Sequence, residues 1–219
     1  MPIDELLHKE SFTKDDLVAL LSLQGEDMQQ LLKKALEVKI AHVGRKVYFR
    51  GLIEYSNHCA KNCYYCGIRS GNKKFTRYQM TDEEVIEAAV YAYQHKFASI
   101  VIQSGERSNQ RFTRKIESLL KEISRLTNGE MHVTLSLGEQ SEETYQRWFD
   151  AGAHRYLLRI EVSNEQLYPK LHPADGKHDY QKRLEALRTL RRLGYQVGTG
   201  VMIGLPFQTI SDLADDLLF

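Results

Sequence analysis

From residue 47 onward, short apolar runs alternate with amphipathic helical stretches, and this alternation restricts the fold more tightly than any other property of the chain. Val47–Tyr55, Ser99–Gln103, Met131–Leu137, Arg155–Ile160 and Gln196–Ile203 read as strands. Between them lie a helix opened by Thr81 and Glu84 as a capping box, then helices over Phe112–Leu126, Ser141–Ala151 and Tyr180–Leu193. A further helical pattern begins at Thr209 and is still running at Phe219. Repeated strand–helix units with short loops predict a parallel sheet with helices outside. The strands read as near-continuous apolar runs, as expected where both faces of a sheet are covered. A closed (β/α)8 barrel needs about 250 residues, and five strands are visible here. The expectation is an α/β fold: a TIM-like (β/α) barrel, incomplete in this chain, with about five βα units over residues 45–219. An open, doubly wound five-stranded domain is the other arrangement that the pattern allows.

Residues 1–44 read as an N-terminal helical extension. Thr13 with Asp16 resembles a capping box ahead of Leu17, Leu20 and Leu21. Met28, Leu31, Leu32, Ala35 and Leu36 then share one face of a second helix, and both helices are expected to pack across one end of the main fold. Thirty basic residues against 29 acidic ones leave a net charge of +1, which gives no pull toward nucleic acid or membrane. The basic group Arg69, Lys73, Lys74 and Arg77 reads as a solvated loop. No apolar stretch approaches the ~20 residues that span a bilayer, and the polar, acidic start is unlike an export signal.

The polar groups collect after strands, where function gathers in parallel α/β sheets. They are Cys59–Cys66, Gln103-Ser-Gly-Glu106, Ser136-Leu-Gly-Glu139, Arg159 with Glu161, and Met202-Ile-Gly-Leu-Pro206. The three cysteines of the chain all lie in Cys59-Ala-Lys-Asn-Cys63-Tyr-Tyr-Cys66. Three thiolates on one short loop suit three irons of a 4Fe–4S cube and leave the fourth iron an open position. Structural zinc wants four closed ligands, and His58 or a more distant histidine would have to supply the fourth. A redox pair, Cys63 with Cys66, would leave Cys59 unexplained. An odd count in a compact motif disfavours disulfides. The cluster reading leads, and thiolates kept reduced for it fit a cytoplasmic location.

Gly51-Leu-Ile-Glu-Tyr-Ser-Asn-His-Cys59, Asn62-Cys-Tyr-Tyr-Cys-Gly-Ile-Arg69, Gln103-Ser-Gly-Glu106, Val133-Thr-Leu-Ser-Leu-Gly-Glu139, Ala151-Gly-Ala-His-Arg-Tyr-Leu-Leu-Arg159 and Met202-Ile-Gly-Leu-Pro-Phe-Gln-Thr209 together resemble the HydE family of radical S-adenosylmethionine (SAM) maturases. That family acts in assembly of the catalytic cluster of iron–iron hydrogenases. The likeness runs over about residues 45–219 and lies in many loops. It implies that Cys59, Cys63 and Cys66 ligate a 4Fe–4S cluster whose open iron binds SAM, and that one electron cleaves SAM to methionine and a 5′-deoxyadenosyl radical. It further implies that Tyr65 packs near the adenine, Ser104 holds the methionine amino group, Glu161 accepts from the ribose hydroxyls, Arg183 pairs with the methionine carboxylate and Met202 lines the adenosine pocket. Ser104 read alone is a Ser-Gly turn, Arg183 a helix-surface arginine and Met202 a core residue.

Thr134, Ser136 and Arg159 are the candidates for lining a cavity for a small iron-containing substrate or thiol precursor. Arg159 would hold an anion, or else pair with a barrel carboxylate such as Glu139. The implied partners are a reducing protein such as flavodoxin or ferredoxin and the other hydrogenase maturases. Two other readings stay open. One is a different radical SAM reaction of the biotin synthase or methylornithine synthase kind. The other is an inactive, truncated cluster-binding fragment.

Overall fold

The computed structural model describes residues 3–219. Five strands form one parallel sheet in chain order, β1 (Arg50–Ser56), β2 (Ser99–Ser104), β3 (Val133–Ser136), β4 (Arg155–Leu157) and β5 (Gln196–Gly198). Helices carry the chain between them: α4 (Asp82–Gln94), α5 (Gln110–Leu126), α6 (Glu142–Asp150), and the pair α7 (Tyr168–Leu171) and α8 (Tyr180–Arg192). β1 and β5 stay unjoined, so the sheet is an open part of an α/β barrel, as the alternation of patterns predicts. Contacts divide the chain into two units, residues 48–161 with 168–200, and residues 1–47 with 162–167 and 201–219.

The first unit holds the sheet. Its helix-covered face is dry: Ile53, Tyr55, Ile100, Ile102, Leu135 and Tyr156 are buried against Val85, Ile116, Leu120 and Trp148 from the helices or their flanks. Burying an aliphatic side chain of this kind contributes about 1.5–3 kcal/mol. Trp148 is fully buried, and its indole N–H donates to the Thr113 carbonyl at 3.0 Å, so its polar edge is not left unpaired.

The other face departs from the expectation of strands covered on both sides. In β1, Leu52 and Glu54 are exposed while Ile53 and Tyr55 are buried; Gln103 is exposed next to buried Ile102. Alternation of this kind marks a solvated second face along β1 and the end of β2. By contrast, β3 buries Val133, Thr134 and Leu135 in succession and is covered on both faces, as expected. The strands are also shorter than the apolar runs suggest. Val47, Tyr48 and Phe49 stand 71–77 % exposed ahead of β1, and β5 pairs on one side only, with β4. The Phe49 carbonyl still accepts the Ala98 N–H at 3.1 Å, and the ladder proper begins at Arg50 opposite Ser99.

The second unit is helical: α1 (Ile3–Leu7), α2 (Lys14–Leu21), α3 (Gly25–Val43) and α9 (Ile210–Leu218). Thr13 caps α2, and its capping box with Asp16 is complete, as the spacing predicts. Lys14 on α2 pairs with Asp215 on α9 at 2.6 Å, and Asp216 accepts from Ser163 at 2.7 Å. α3 forms where its periodicity places it, yet buries none of its residues; Leu32 and Leu36 are each 54 % exposed.

Candidate functional site

The cysteine loop begins where β1 ends. A 22-residue excursion leaves the sheet at Ser56 and returns at Gln79, and an isolated bridge between these two residues closes its neck. Asn57 N–H donates to the Tyr78 carbonyl and Met80 N–H to the Tyr55 carbonyl, which tightens that neck. Inside the excursion, the Arg77 guanidinium donates to the carbonyls of Asn57, Ile68, Arg69 and Asn72. The sequence reads Arg77 as part of a solvated basic loop. It is instead the post around which that loop is wound, because a planar five-donor group satisfies several converging carbonyls at once.

The turn after β2 presses on the cysteine loop. A Cβ added at Gly105 would lie 2.6 Å from the Cys59 Cβ, so glycine is needed for the turn after β2 to lie against this loop. The Cys59 sulfur accepts from the backbone N–H groups of Lys61 at 3.4 Å and Glu106 at 3.3 Å. Cys63 is buried and Cys59 and Cys66 are half-buried. Burial raises the Cys59 thiol above its ordinary range and raises Cys63 to about 11, where a thiol holds its proton.

Beside the cysteines lies a network of four charges, Lys61 and Arg183 buried and Glu106 and Glu139 half-buried. Lys61 Nζ sits 3.0 Å from Glu139 and 3.2 Å from Glu106, and Arg183 Nε sits 3.0 Å from Glu139. Burial alone would lower Lys61, but Glu106 and Glu139 outweigh it and hold the ammonium charged. Burial raises Glu106, against the pull of Lys61. Glu106 also accepts the Glu139 N–H at 2.8 Å, which ties the turn after β2 to the turn after β3. Gly138 makes this possible, since a Cβ there would meet Glu106 at 2.4 Å.

The residues singled out from sequence fall as follows. Tyr65 is half-buried beside Cys66, and its hydroxyl contacts His172 Nε2 at 3.1 Å. Ser104 ends β2 and donates its hydroxyl to the Gly105 carbonyl at 2.8 Å. Glu161 is buried just past β4, in the left-handed region at φ 70°, with its carboxyl raised by burial against the opposing charges of Arg159 and Arg183. Arg183 is a buried residue of α8, not a surface one. Arg159 pairs with Glu161 at 3.3 Å, whereas Glu139 is taken by Lys61 and Arg183. Thr134 and Ser136 share the face of β3 opposite Leu135, where Thr134 is buried and Ser136 half-buried. Thr134 lines a hollow of about 180 Å³ with Arg50, Arg155 and Gln196 at the amino ends of the strands. Met202 belongs to the helical unit, half-buried, its carbonyl accepting from Gln208.

Lys61, Glu106, Tyr168, His172 and His178 were not picked out from sequence as site residues. One signal was present: after β4 the chain runs from residue 158 to 179 with a single four-residue helix, and connections of that length carry function more often than not.

The donor set can be tested against an iron–sulfur group and SAM. Among the described residues no three His, Cys, Asp or Glu side chains converge as a single metal ion requires. A cube takes one thiolate on each of three irons and does not need that convergence. Positive iron also offsets the cost of charging the raised thiols. Close by, Arg183 Nε and Glu139 Oε1 pair with each other at 3.0 Å, and Glu161 Oε2 is buried with no hydrogen-bond partner among the described residues. A buried polar atom is rarely left so, and this acceptor near the Arg183 guanidinium suits a ligand that carries both hydroxyls and a carboxylate. The residues fit both groups.

The chain is 45% identical over 98% of its length to the [FeFe] hydrogenase maturase subunit HydE of Thermotoga maritima, and covers 60% of that protein. It is 27% identical over 97% of its length to the biotin synthase of Persephonella marina, of which it covers 62%. The crystal structure of methylornithine synthase (PylB) superposes with a TM-score of 0.87 over 99% of this chain and 63% of that one; at 23% identity this speaks for the fold. The chain thus spans about three fifths of the curated relatives it matches. Residues 53–219, which include all three cysteines and the whole sheet from Ile53 onward, match the Radical SAM superfamily. The chain therefore belongs to that superfamily of enzymes, whose membership implies a 4Fe–4S cluster and SAM as cofactors.

Proposed function

We propose that this chain is the cluster- and SAM-binding portion of a radical SAM enzyme that acts in assembly of the [FeFe]-hydrogenase active-site cluster. The reading rests on one observation above the others: three cysteines on a braced loop at the carboxyl end of β1 stand near the buried Arg183 guanidinium and a buried Glu161 oxygen that has no hydrogen-bond partner among the described residues. The maturase assignment within the superfamily rests on the 45% identity to the Thermotoga maritima protein.

Cys59, Cys63 and Cys66 would hold the cluster. Its chemistry when bound is one-electron reductive cleavage of the S–C5′ bond of SAM. The chain's own residues bind and orient. Arg183 offers its guanidinium to the methionine carboxylate, a pairing for which the planar fork is well shaped. Ser104 keeps oxygen lone pairs for the methionine ammonium, since its own proton is spent on Gly105. Glu161 presents a buried oxygen without a hydrogen-bond partner among the described residues to the ribose hydroxyls, and Tyr65 flanks the adenosine. Thr134 and Ser136 of β3 and Arg159 just past β4 would meet a small iron-containing substrate or thiol precursor, with Arg159 as its anion holder. Residues 45–219 would act as the partial barrel and 1–44 as a helical extension. A flavodoxin- or ferredoxin-like reductant and the other maturases are the proposed partners, in the cytoplasm. Among the described residues no helix is long and apolar enough to cross a membrane.

The test is anaerobic reconstitution with iron and sulfide, then electron paramagnetic resonance of the dithionite-reduced protein with and without SAM. A 4Fe–4S signal that changes on adding SAM and vanishes in Cys63→Ala is expected. A cluster indifferent to SAM, or zinc bound in place of iron, would overturn the reading.

A further inference from the structure

We propose that His172 and His178 act as a paired clasp that holds the cysteine loop in its binding shape and aims Tyr65 toward the SAM site, a role that rests on the function proposed above. Residues 168–179 run alongside the cysteine loop and engage it repeatedly. The Tyr64 N–H donates to the Leu171 carbonyl at 3.0 Å, Lys177 Nζ reaches the Ala60 carbonyl at 3.4 Å, and Lys61 Nζ donates to the Lys177 carbonyl.

The two imidazoles make the most specific contacts. His172 Nδ1 lies 2.8 Å from the Tyr168 carbonyl, and His178 Nδ1 lies 2.7 Å from the Asp175 carboxylate. A carbonyl or carboxylate oxygen only accepts, so each ring carries its proton on Nδ1 and turns a bare Nε2 toward the cysteine loop. His178 Nε2 accepts the Asn62 N–H at 3.1 Å, and His172 Nε2 accepts the Tyr65 hydroxyl at 3.1 Å. Asn62 precedes Cys63, and Tyr65 lies between Cys63 and Cys66. The His172 and His178 rings pack 5.2 Å apart, and His172 stacks on Tyr168 at 4.0 Å. His172 is 3 % exposed as a residue and the His178 side chain 1 %.

The loop from Asn57 to Cys66 contains no helix or strand to absorb its N–H groups. His178 supplies the acceptor for the Asn62 N–H and His172 the one for the Tyr65 hydroxyl. The N–H groups of Asn57, His58, Ala60, Lys61, Tyr64 and Cys66 find acceptors elsewhere. The added pair of bonds orders the loop before any ligand arrives and lowers the ordering cost of binding. His172 and His178 touch neither metal nor SAM in this scheme and are positioning residues.

Amide hydrogen exchange of residues 57–66 in the metal-free protein reads the clasp directly. His178→Ala is expected to speed exchange at Asn62 about tenfold, the loss of one buried hydrogen bond. His178→Gln, which carries an acceptor near the Nε2 position, should restore protection. In the reconstituted protein, Tyr65→Phe and His172→Phe should each weaken SAM binding severalfold at unchanged iron content, and the double variant should be no worse than either single one. Unchanged exchange in His178→Ala would overturn the clasp, and so would additive losses in the Tyr65–His172 pair. If wild-type protein binds no SAM, the proposed function fails instead, and the exchange measurement still decides the clasp. Tyr65→Phe removes one hydroxyl and keeps the packing, so it reports even if His172→Phe misfolds.

Discussion

Gly105 and Cys59 approach so closely that a single methyl group would not fit between them: an added Cβ would sit 2.6 Å from the Cys59 Cβ and 2.4 Å from the His58 carbonyl oxygen. The obstacle at Gly105 is backbone, which cannot swing aside as a side chain would. Gly105→Ala should therefore push the turn after β2 away from the cysteine loop and break the Glu106 N–H bond to the Cys59 sulfur. Overpacking of this kind costs about 1–3 kcal/mol. A urea midpoint lowered accordingly, together with reduced iron retention after reconstitution, is the expected result. Wild-type iron content would show that the turn yields.

Lys61 is the hinge of the charge network. Removing it in Lys61→Met would leave half-buried Glu106 and Glu139 beside one guanidinium. Breaking a fully buried pair on one side costs about 3–5 kcal/mol, and partial exposure places this loss at or below about 3 kcal/mol. In Lys61→Met/Glu106→Gln one charge of each sign is gone and the Arg183–Glu139 pair remains. Most of the stability should return in the double variant. Equilibrium urea unfolding of the two proteins separates lost charge balance from lost packing of the lysine stem, since the second would not be restored.

How far the site could be read from its letters differs from residue to residue. The cysteine loop announces itself because thiolates at short spacing have few other uses, and β1 to β4 because burial on the helix-covered face dictates apolar residues every second position. Thr13, Thr81 and Thr209 mark their helices because each capping box is a local three-residue interaction. The open sheet face was missed because exposed Leu52 and half-buried Val101 are apolar without being covered, and so blur the alternation. Arg77 and Arg183 read as surface charges because their partners lie in turns separated from them in sequence, or in backbone carbonyls that no side-chain pattern records. The clasp was illegible for the same reason: Asn62 and His178 are 116 residues apart.

Acid should loosen the metal-free protein through His172. Burial, more than any neighbouring charge, holds this imidazole at about 4 in the folded chain, against an ordinary value near 6.5. Between those two values the unfolded chain binds more protons, so stability rises with pH through that window and is lost as pH falls from about 6.5 toward 4. Below about 4 both forms are protonated and this contribution loses no more. The drop should be on the order of 2–3 kcal/mol. Urea midpoints from pH 7 to pH 4 check it: His172→Phe should flatten the dependence over that window, and a slope that persists in the variant would assign it to other groups.

Glu161 combines a buried carboxylate with a backbone at φ 70°, a region that costs a residue bearing a Cβ about 1 kcal/mol and glycine almost nothing. Replacing it by alanine or by glycine removes the same carboxylate but only glycine relieves the backbone. Glu161→Gly should thus be more stable than Glu161→Ala by about 1 kcal/mol, although glycine also frees the unfolded chain and trims that gain. If the carboxylate serves SAM, the two variants should lose SAM affinity alike despite their different stabilities, as read from titration of the reduced-cluster spectrum. Equal stability would mean that the surrounding chain relaxes without cost, and unimpaired SAM binding in both would remove Glu161 from the ribose site. Strain held at a residue whose side chain faces a ligand site is the expected trade where geometry matters more than stability. The pair of variants measures the two sides of that trade separately.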